Sequence, residues 1–226
     1  MFSNDHNGIT HRMKLSRHPI CWVKEVLNGY LNCSIHLNLS RYRYEPQSFR
    51  DERQELSISA SELTESYLLA ELINLESDYE LAFHSKLYLN STVMHLPMID
   101  FGSKGAEPSA SGVLKELCNY WGMGFNIFSS GRSYHAYGNK LLDHQQWLQF
   151  MGSLLLLNKP SGYKLIDERW VGHRIMGGYS ALRWSKNTSH YKKFPTHCGF
   201  VSGTDFFVGD KLPPSPPPPP PSISFS

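Results

Sequence analysis

Residues 124–138, GFNIFSSGRSYHAYG, hold two strand-length apolar runs separated by Ser130-Gly131-Arg132. Runs this close, joined by a glycine turn, fold back antiparallel, because a parallel pair needs a crossover of a dozen or more residues. Leu81–Leu89 and Thr92–Phe101 are expected to pair in the same way across Asn90-Ser91. Cys33–Tyr44 alternates apolar and polar residues and predicts another strand, as does Ser180–Ser185. Helical spacing predicts helices at Ile20–Leu31, Val113–Tyr120, Leu141–Leu157 and Glu168–Met176. A further helix is expected from Ser59 or Ser61 to about Leu75, since Ser59 and Glu62 stand at capping-box spacing; Pro46–Leu56 is expected as charged loop. Hairpins mixed with helices, without steady βαβ alternation, predict an α+β fold.

The net charge of +2 hides segregation. Residues 51–80 carry nine acids and one base, Arg53, whereas residues 159–193 carry eight bases and two acids. The basic stretch interleaves Trp170, Tyr179, Trp184 and Tyr191, a composition that suits a polyanion; the plainer reading is a solvated face. Proline is segregated too, with eight of 14 in Pro213–Pro221. Residues 212–226 are therefore expected to be a polyproline II or disordered tail, either inert or a ligand for an SH3-like or WW-like groove. The folded domain is then expected over residues 1–211. Four dispersed cysteines without a Cys-x-x-Cys pair, no apolar leader and no membrane-length apolar run predict an intracellular chain, neither secreted nor in a membrane. His190, His197 and Cys198 lack the spacing of a zinc site.

Three short elements could carry chemistry. Ile99-Asp100-Phe101 places an acid at the end of an apolar run, costly to bury unless it is paired, capping or metal-bound. Ser133-Tyr134-His135 follows the glycine turn, with Ser133, His135 and Tyr137 predicted on one strand face and Tyr134 and Ala136 on the other. Leu165-Ile166-Asp167 ends in a second acid and is followed by Arg174, Arg183 and Lys186. Singly, each has an ordinary structural reading: a capping Asp, a hydrogen-bonding His, solvated arginines. Their order is the informative part.

That order resembles the archaeo-eukaryotic primase superfamily, including its small PrimPol-like polymerases. Ile99-Asp100-Phe101 resembles the acidic first motif, Ser133-Tyr134-His135 the Ser-x-His motif, and Ile166-Asp167 the hydrophobic-Asp motif. The phrase SSGRSYHAY is the most specific part, and the likeness spans roughly residues 80–195. It implies a primase-like α+β core, a mixed or antiparallel sheet flanked by helices. It implies metal-dependent transfer of nucleotides from nucleoside triphosphates onto a nucleic-acid strand, with Asp100, Asp167 and His135 as catalytic residues. Asp100 and Asp167 would ligate Mg²⁺ or Mn²⁺, hard cations that prefer carboxylate oxygen. Ser130, Arg132, Ser133, His135, Arg174, Arg183 and Lys186 would contact the nucleotide or its phosphates. The implied partners are a nucleoside triphosphate and a DNA or RNA template; since the chain has no P-loop or helicase motif, a helicase or another replication or defence protein is a candidate too. The chain departs from the family at Gly102, where the first motif usually has a second acid. Two alternatives stay open: a degenerate relative that binds nucleotide or nucleic acid without catalysis, and an unrelated α+β interaction protein whose Pro-rich tail is its functional part.

Overall fold

The computed structural model describes residues 15–30, 32–45, 48–49, 52–102 and 108–208. The Pro-rich tail expected over 212–226 lies outside the described residues. Helix α1 (Pro19–Asn28) starts with proline where no N–H is needed, and His18 Nδ1 accepts from the Ile20 N–H at 3.2 Å. Ile20, Trp22, Val23, Val26 and Leu27 are all buried at helical spacing.

Strand β1 (Ile35–Arg43) pairs antiparallel with both β2 (Glu52–Ser59) and β3 (Glu80–Leu89). Strand β2 corrects two expectations, the loop over residues 52–56 and the helix starting at Ser59 or Ser61, while residues 46, 47, 50 and 51 of the expected loop lie outside the described residues. It is an edge strand with only Ile58 buried, and its first four residues, Glu52-Arg53-Gln54-Glu55, are charged or polar, so apolar alternation is confined to Leu56 and Ile58. The helix begins later, as α2 (Glu65–Ile73), where Thr64 Oγ1 accepts from the Tyr67 N–H at 3.1 Å. Ser59 and Glu62 do interact, with Glu62 Oε2 accepting from the Ser59 N–H at 2.7 Å, but they close a turn instead of capping a helix.

Strand β4 (Thr92–His95) follows β3 across Asn90 and Ser91, whose φ angles of 47° and 70° suit a two-residue hairpin. The run Thr92–Phe101, expected as one strand, divides at Leu96-Pro97, since proline has no N–H for a continuous ladder. β4 stays in the first sheet and β5 (Met98–Asp100) joins the second. Then come α3 (Gly112–Trp121), β6 (Phe125–Ser129), β7 (Tyr134–Gly138) and the short β8 (Leu142–Asp143). Strands β6 and β7 form the expected hairpin, with Phe128 opposite His135. Helix α4 (His144–Leu155) opens with a capping box between Asp143 and Gln146. α5 (Glu168–Gly177), β9 (Ala181–Arg183), β10 (Thr196–Val201) and β11 (Phe206–Val208) follow; sequence patterning does not predict the last two.

The first sheet runs β2-β1-β3, and the far edge of β3 is shared by β9 at Ala82–His84 and β4 at Lys86–Leu89, with β8 beyond β4. The second runs β11-β10-β6-β7-β5. All these strand pairs are antiparallel, and five α-helices stand among the described residues, so the fold is α+β. The hairpin is buried on both faces. Ile127 and Ala136 join a cluster with Leu114 of α3 and Trp147 and Phe150 of α4. Phe128 and Tyr137 join the cluster of the first sheet and α1. There Trp184 stacks on Phe83 at 4.5 Å and donates its indole N–H to Tyr137 Oη at 3.0 Å. By alternation His135 shares the Tyr137 face and points toward the first sheet. Among the described residues, no helix is long and apolar enough to cross a membrane.

Candidate functional site

The pairing of β5 with β7 sets Asp100 opposite His135, and His135 Nε2 lies 3.8 Å from Asp100 Oδ1. One further bridge, Phe101 to Ile166, brings the third acid-bearing segment alongside. The Asp167 N–H donates to the Asp100 carbonyl at 3.1 Å, and the Gly102 N–H donates to the Leu165 carbonyl at 3.0 Å. Three motifs far apart in sequence thus meet in a cleft of about 400 Å³ between the two sheets, a volume that suits a small ligand. Ser130, Arg132, Ser133, Arg174 and Arg183 also line it, whereas Lys186 does not.

Asp100 keeps 23% of its side chain exposed on the cleft floor. Burial pushes its carboxyl up to about 8 and Asp167 pushes the same way, while Arg183 and Arg174 oppose both. Burial, aided by the charge of Arg183, pushes the His135 imidazole down to about 3, so it is neutral at pH 7. His135 is 6% exposed and its Nδ1 has no hydrogen-bond partner. Such an orphan costs about 1–3 kcal/mol, and it leaves Nε2, the nitrogen beside Asp100, as the one that faces the cleft's acid.

Asp167 has two positions at once. It lines the cleft, and its Oδ1 caps α5 by accepting from the Trp170 N–H at 3.0 Å. The turn before His135 is held from within, because the Ser130 N–H and hydroxyl both donate to the Ser133 carbonyl at 3.0 Å. Gly131 has φ 114°, which a side chain would strain. Arg183 holds the turn from outside. It is 4% exposed and donates to the carbonyls of Ser130 at 2.7 Å, Lys193 at 3.2 Å and Ser185. Its guanidinium also sits 4.0 Å over the Tyr191 ring. Arg132 is exposed at the tip of the turn, and Arg174 is buried in the cleft wall.

Gly102 stands where a second acid would lie in the first motif. A Cβ there would meet the Ile166 carbonyl oxygen at 3.2 Å and the Asp167 nitrogen at 3.3 Å. The close approach of the third motif therefore favours glycine at this position.

Among the described residues, no group of three or more His, Cys, Asp or Glu is arranged to hold a metal. Mg²⁺ is commonly held by only one or two carboxylates together with substrate phosphates and water. Asp100 and Asp167 fit that case: a cation beside them would relieve the repulsion that raises Asp100.

Sequence reasoning missed several lining residues, among them Tyr42, Tyr44, Arg53, His173 and His190, whereas Tyr191 belongs to the aromatic and basic stretch read as suited to a polyanion. Arg53 had a signal, as the single base of an acidic stretch. Its guanidinium lies 4.7 Å over the Tyr42 ring and donates to Ser40 Oγ at 2.9 Å. Six bases, Arg53, Arg132, Arg169, Arg174, Arg183 and Lys192, line the cleft against three acids, Glu45, Asp100 and Asp167. Glu80 had no such signal. It is fully buried and accepts from the N–H groups of Asn187 at 3.0 Å and Thr188 at 2.7 Å, from Thr188 Oγ1 at 2.8 Å, and from Ser185 Oγ. It thereby fixes the loop that carries His190, Tyr191 and Lys192 to the cleft.

A family model described as AEP-like, archaeo-eukaryotic primase 1D-like, matches residues 59–196, more than half of the chain. No curated protein and no solved structure shows a significant match. The matched span contains Asp100, His135 and Asp167.

Proposed function

Because the chain belongs to the archaeo-eukaryotic primase 1D-like family, we propose that its cleft transfers nucleotides from nucleoside triphosphates onto a nucleic-acid strand. The observation that carries this reading is the meeting of Asp100, His135 and Asp167 on one cleft whose charged lining residues are mostly basic. Asp100 and Asp167 are the residues that would hold Mg²⁺ or Mn²⁺, whose charge would stabilise the attacking and leaving oxygens of the transfer. Neutral His135 lines the cleft with Nε2 on the Asp100 side, from which it would meet a phosphate oxygen held by the same acid's cation. Arg132 and Arg174 add positive charge on the same cleft, and Arg183 positions the turn that carries Arg132. Ser133, half-buried beside the turn, is a further polar group within that wall.

Primer extension and de novo priming with Mg²⁺ or Mn²⁺ test this, comparing wild type with Asp100→Asn. Incorporation by the wild type that the substitution abolishes is expected; incorporation that survives it rejects Asp100 as a ligand. The close approach at Gly102 favours a second reading, since it leaves one carboxylate in the first motif. A relative that binds nucleotide without transfer would show no incorporation, yet metal-dependent triphosphate binding that His135→Ala weakens.

A further inference from the structure

The rim of the cleft carries aromatic rings that the chemistry on its floor does not use. Tyr44, just past β1, is 44% exposed. Its ring lies 4.6 Å from the His190 ring at a 34° tilt and 6.5 Å from Tyr191. His190 and Tyr191 are themselves 4.8 Å apart. This group is held rigidly from below, with Arg183 over the Tyr191 ring, Tyr191 Oη 3.3 Å from Tyr42 Oη, and the loop behind fixed by Glu80. Burial and the charges of Arg132 and Arg183 push the His190 imidazole down, which keeps its ring neutral. A second exposed ring, Phe49, is 75% exposed and lies 6.4 Å from His173. Its segment is tied to α5 by Arg169, which donates to the Ser48 carbonyl at 3.0 Å.

Exposed rings fixed in place lose hydration without losing mobility when something flat lies on them. Cations line the same cleft: Arg132, Arg169 and Lys192, with Glu45 as the acid at the rim. Rings for π-faces and cations for a backbone are what an unpaired nucleic-acid strand requires, and stacking on aromatic side chains is worth about 1–3 kcal/mol per base. Two separate ring groups suit successive bases of a strand better than the one base of a mononucleotide. We propose that Tyr44 and His190, with Phe49 beyond them, stack successive bases of a single strand lying across the cleft rim, while Arg132, Arg169 and Lys192 neutralise its phosphates. This rests on the nucleotide-handling reading of the cleft.

The test uses the full chain and fluorescence anisotropy with a short oligo-dT and an abasic strand of equal length, which has the same phosphates without bases. The wild type is expected to bind oligo-dT more tightly. Tyr44→Ala and His190→Ala should each weaken oligo-dT by about 5-fold or more and leave the abasic strand unchanged, whereas Tyr44→Phe keeps wild-type affinity. Equal wild-type affinity for both strands, or base dependence that survives both alanine substitutions, overturns the shelf. A labelled nucleoside triphosphate with Mn²⁺ reads the cleft floor separately. If Tyr44→Ala weakens the triphosphate but not the strand, the bound base is the mononucleotide's and the strand proposal falls. If the shelf fails while triphosphate binding persists and Asp100→Asn removes it, only the shelf is lost. If the wild type binds no triphosphate but shows Tyr44-dependent stacking, the shelf stands and the transfer reading falls.

Discussion

The N–H of Asp167 donates to the carbonyl of Asp100 at 3.1 Å, so main chain, not side chain, sets the two acids beside each other. Either carboxylate can then be changed without releasing the other. Asp167 carries a second duty at the start of α5, and Asp100 does not. Substitution at Asp100 is therefore the cleaner probe of the cleft, and it isolates one electrostatic effect.

That effect has a definite sign. Asp100 ionises near 8 in the folded protein and near 4 when unfolded. Between those values the folded state binds the extra proton, so Asp100 makes stability fall as pH rises from about 4 to about 8. Buried His18, His84, His95 and His135 are all pushed well below the usual imidazole value, and they act oppositely below about 6.5. The difference between wild type and Asp100→Asn removes the histidines. The variant's Tm is expected to gain on the wild type across this window and to exceed it by about 2–4 °C or more at its upper end, the shift that about 1 kcal/mol gives at this size. Parallel melting profiles of the two proteins would refute a carboxylate held above its ordinary range.

Gly102 should resist every larger residue. A Cβ at 3.2 Å from the Ile166 oxygen forces the third-motif segment to give by a few tenths of an ångström. Gly102→Ala is expected to cost about 1–3 kcal/mol, the usual range for overpacking, read by urea unfolding. Gly102→Asp should cost at least as much and should not raise metal-dependent incorporation, because the added carboxyl arrives with Asp167 displaced. Higher incorporation by Gly102→Asp would show that the segment yields freely.

The basic residues divide into two kinds, and substitution should separate them. Arg183 serves three carbonyls from a buried position, a geometry the single ammonium of lysine cannot copy. Arg183→Lys is expected to lose about 2–4 kcal/mol of stability through carbonyls left unpaired. Arg132 is exposed, so Arg132→Ala should move stability by less than about 0.5 kcal/mol while lowering the salt dependence of strand binding by about one phosphate contact. Comparable unfolding midpoints for the two variants would contradict this division.

The difference between Arg183 and Arg132 also marks where the sequence stops being legible. Arg132 stands in the phrase SSGRSYHAY and Arg183 in the basic stretch 159–193, and nothing in residue type tells which side chain turns inward. The hairpin at 124–138 is readable because a glycine turn between two short apolar runs is a local signal. The split of Thr92–Phe101 between two sheets is not, since each half reads as a strand and only Pro97 hints at the break. Edge strand β2 is hidden in the sequence because its first half, Glu52 to Glu55, is charged or polar on both faces and only Leu56 and Ile58 keep an apolar alternation. The three motifs were legible as an order, whereas the aromatic rim depends on Tyr44 and His190 meeting across a long stretch of chain.

Glu80 is the extreme case, an acid in an acidic run that proves fully buried and accepts from two backbone N–H groups and two hydroxyls. Glu80→Ala leaves those donors without an acceptor. The hydroxyls can rotate away but the N–H groups cannot, so a loss of about 3 kcal/mol in urea unfolding is expected. Glu80→Gln keeps the volume and one acceptor oxygen while turning an N–H₂ toward groups that are themselves donors. It should cost less stability but loosen the loop ahead of His190 and Tyr191. Base-dependent strand binding should then fall while metal-dependent triphosphate binding at Asp100 persists. A Glu80→Gln protein with wild-type stability and wild-type discrimination between oligo-dT and the abasic strand would mean that neutral acceptors alone can fix the loop. The negative charge of Glu80 would then have no part in shaping the rim.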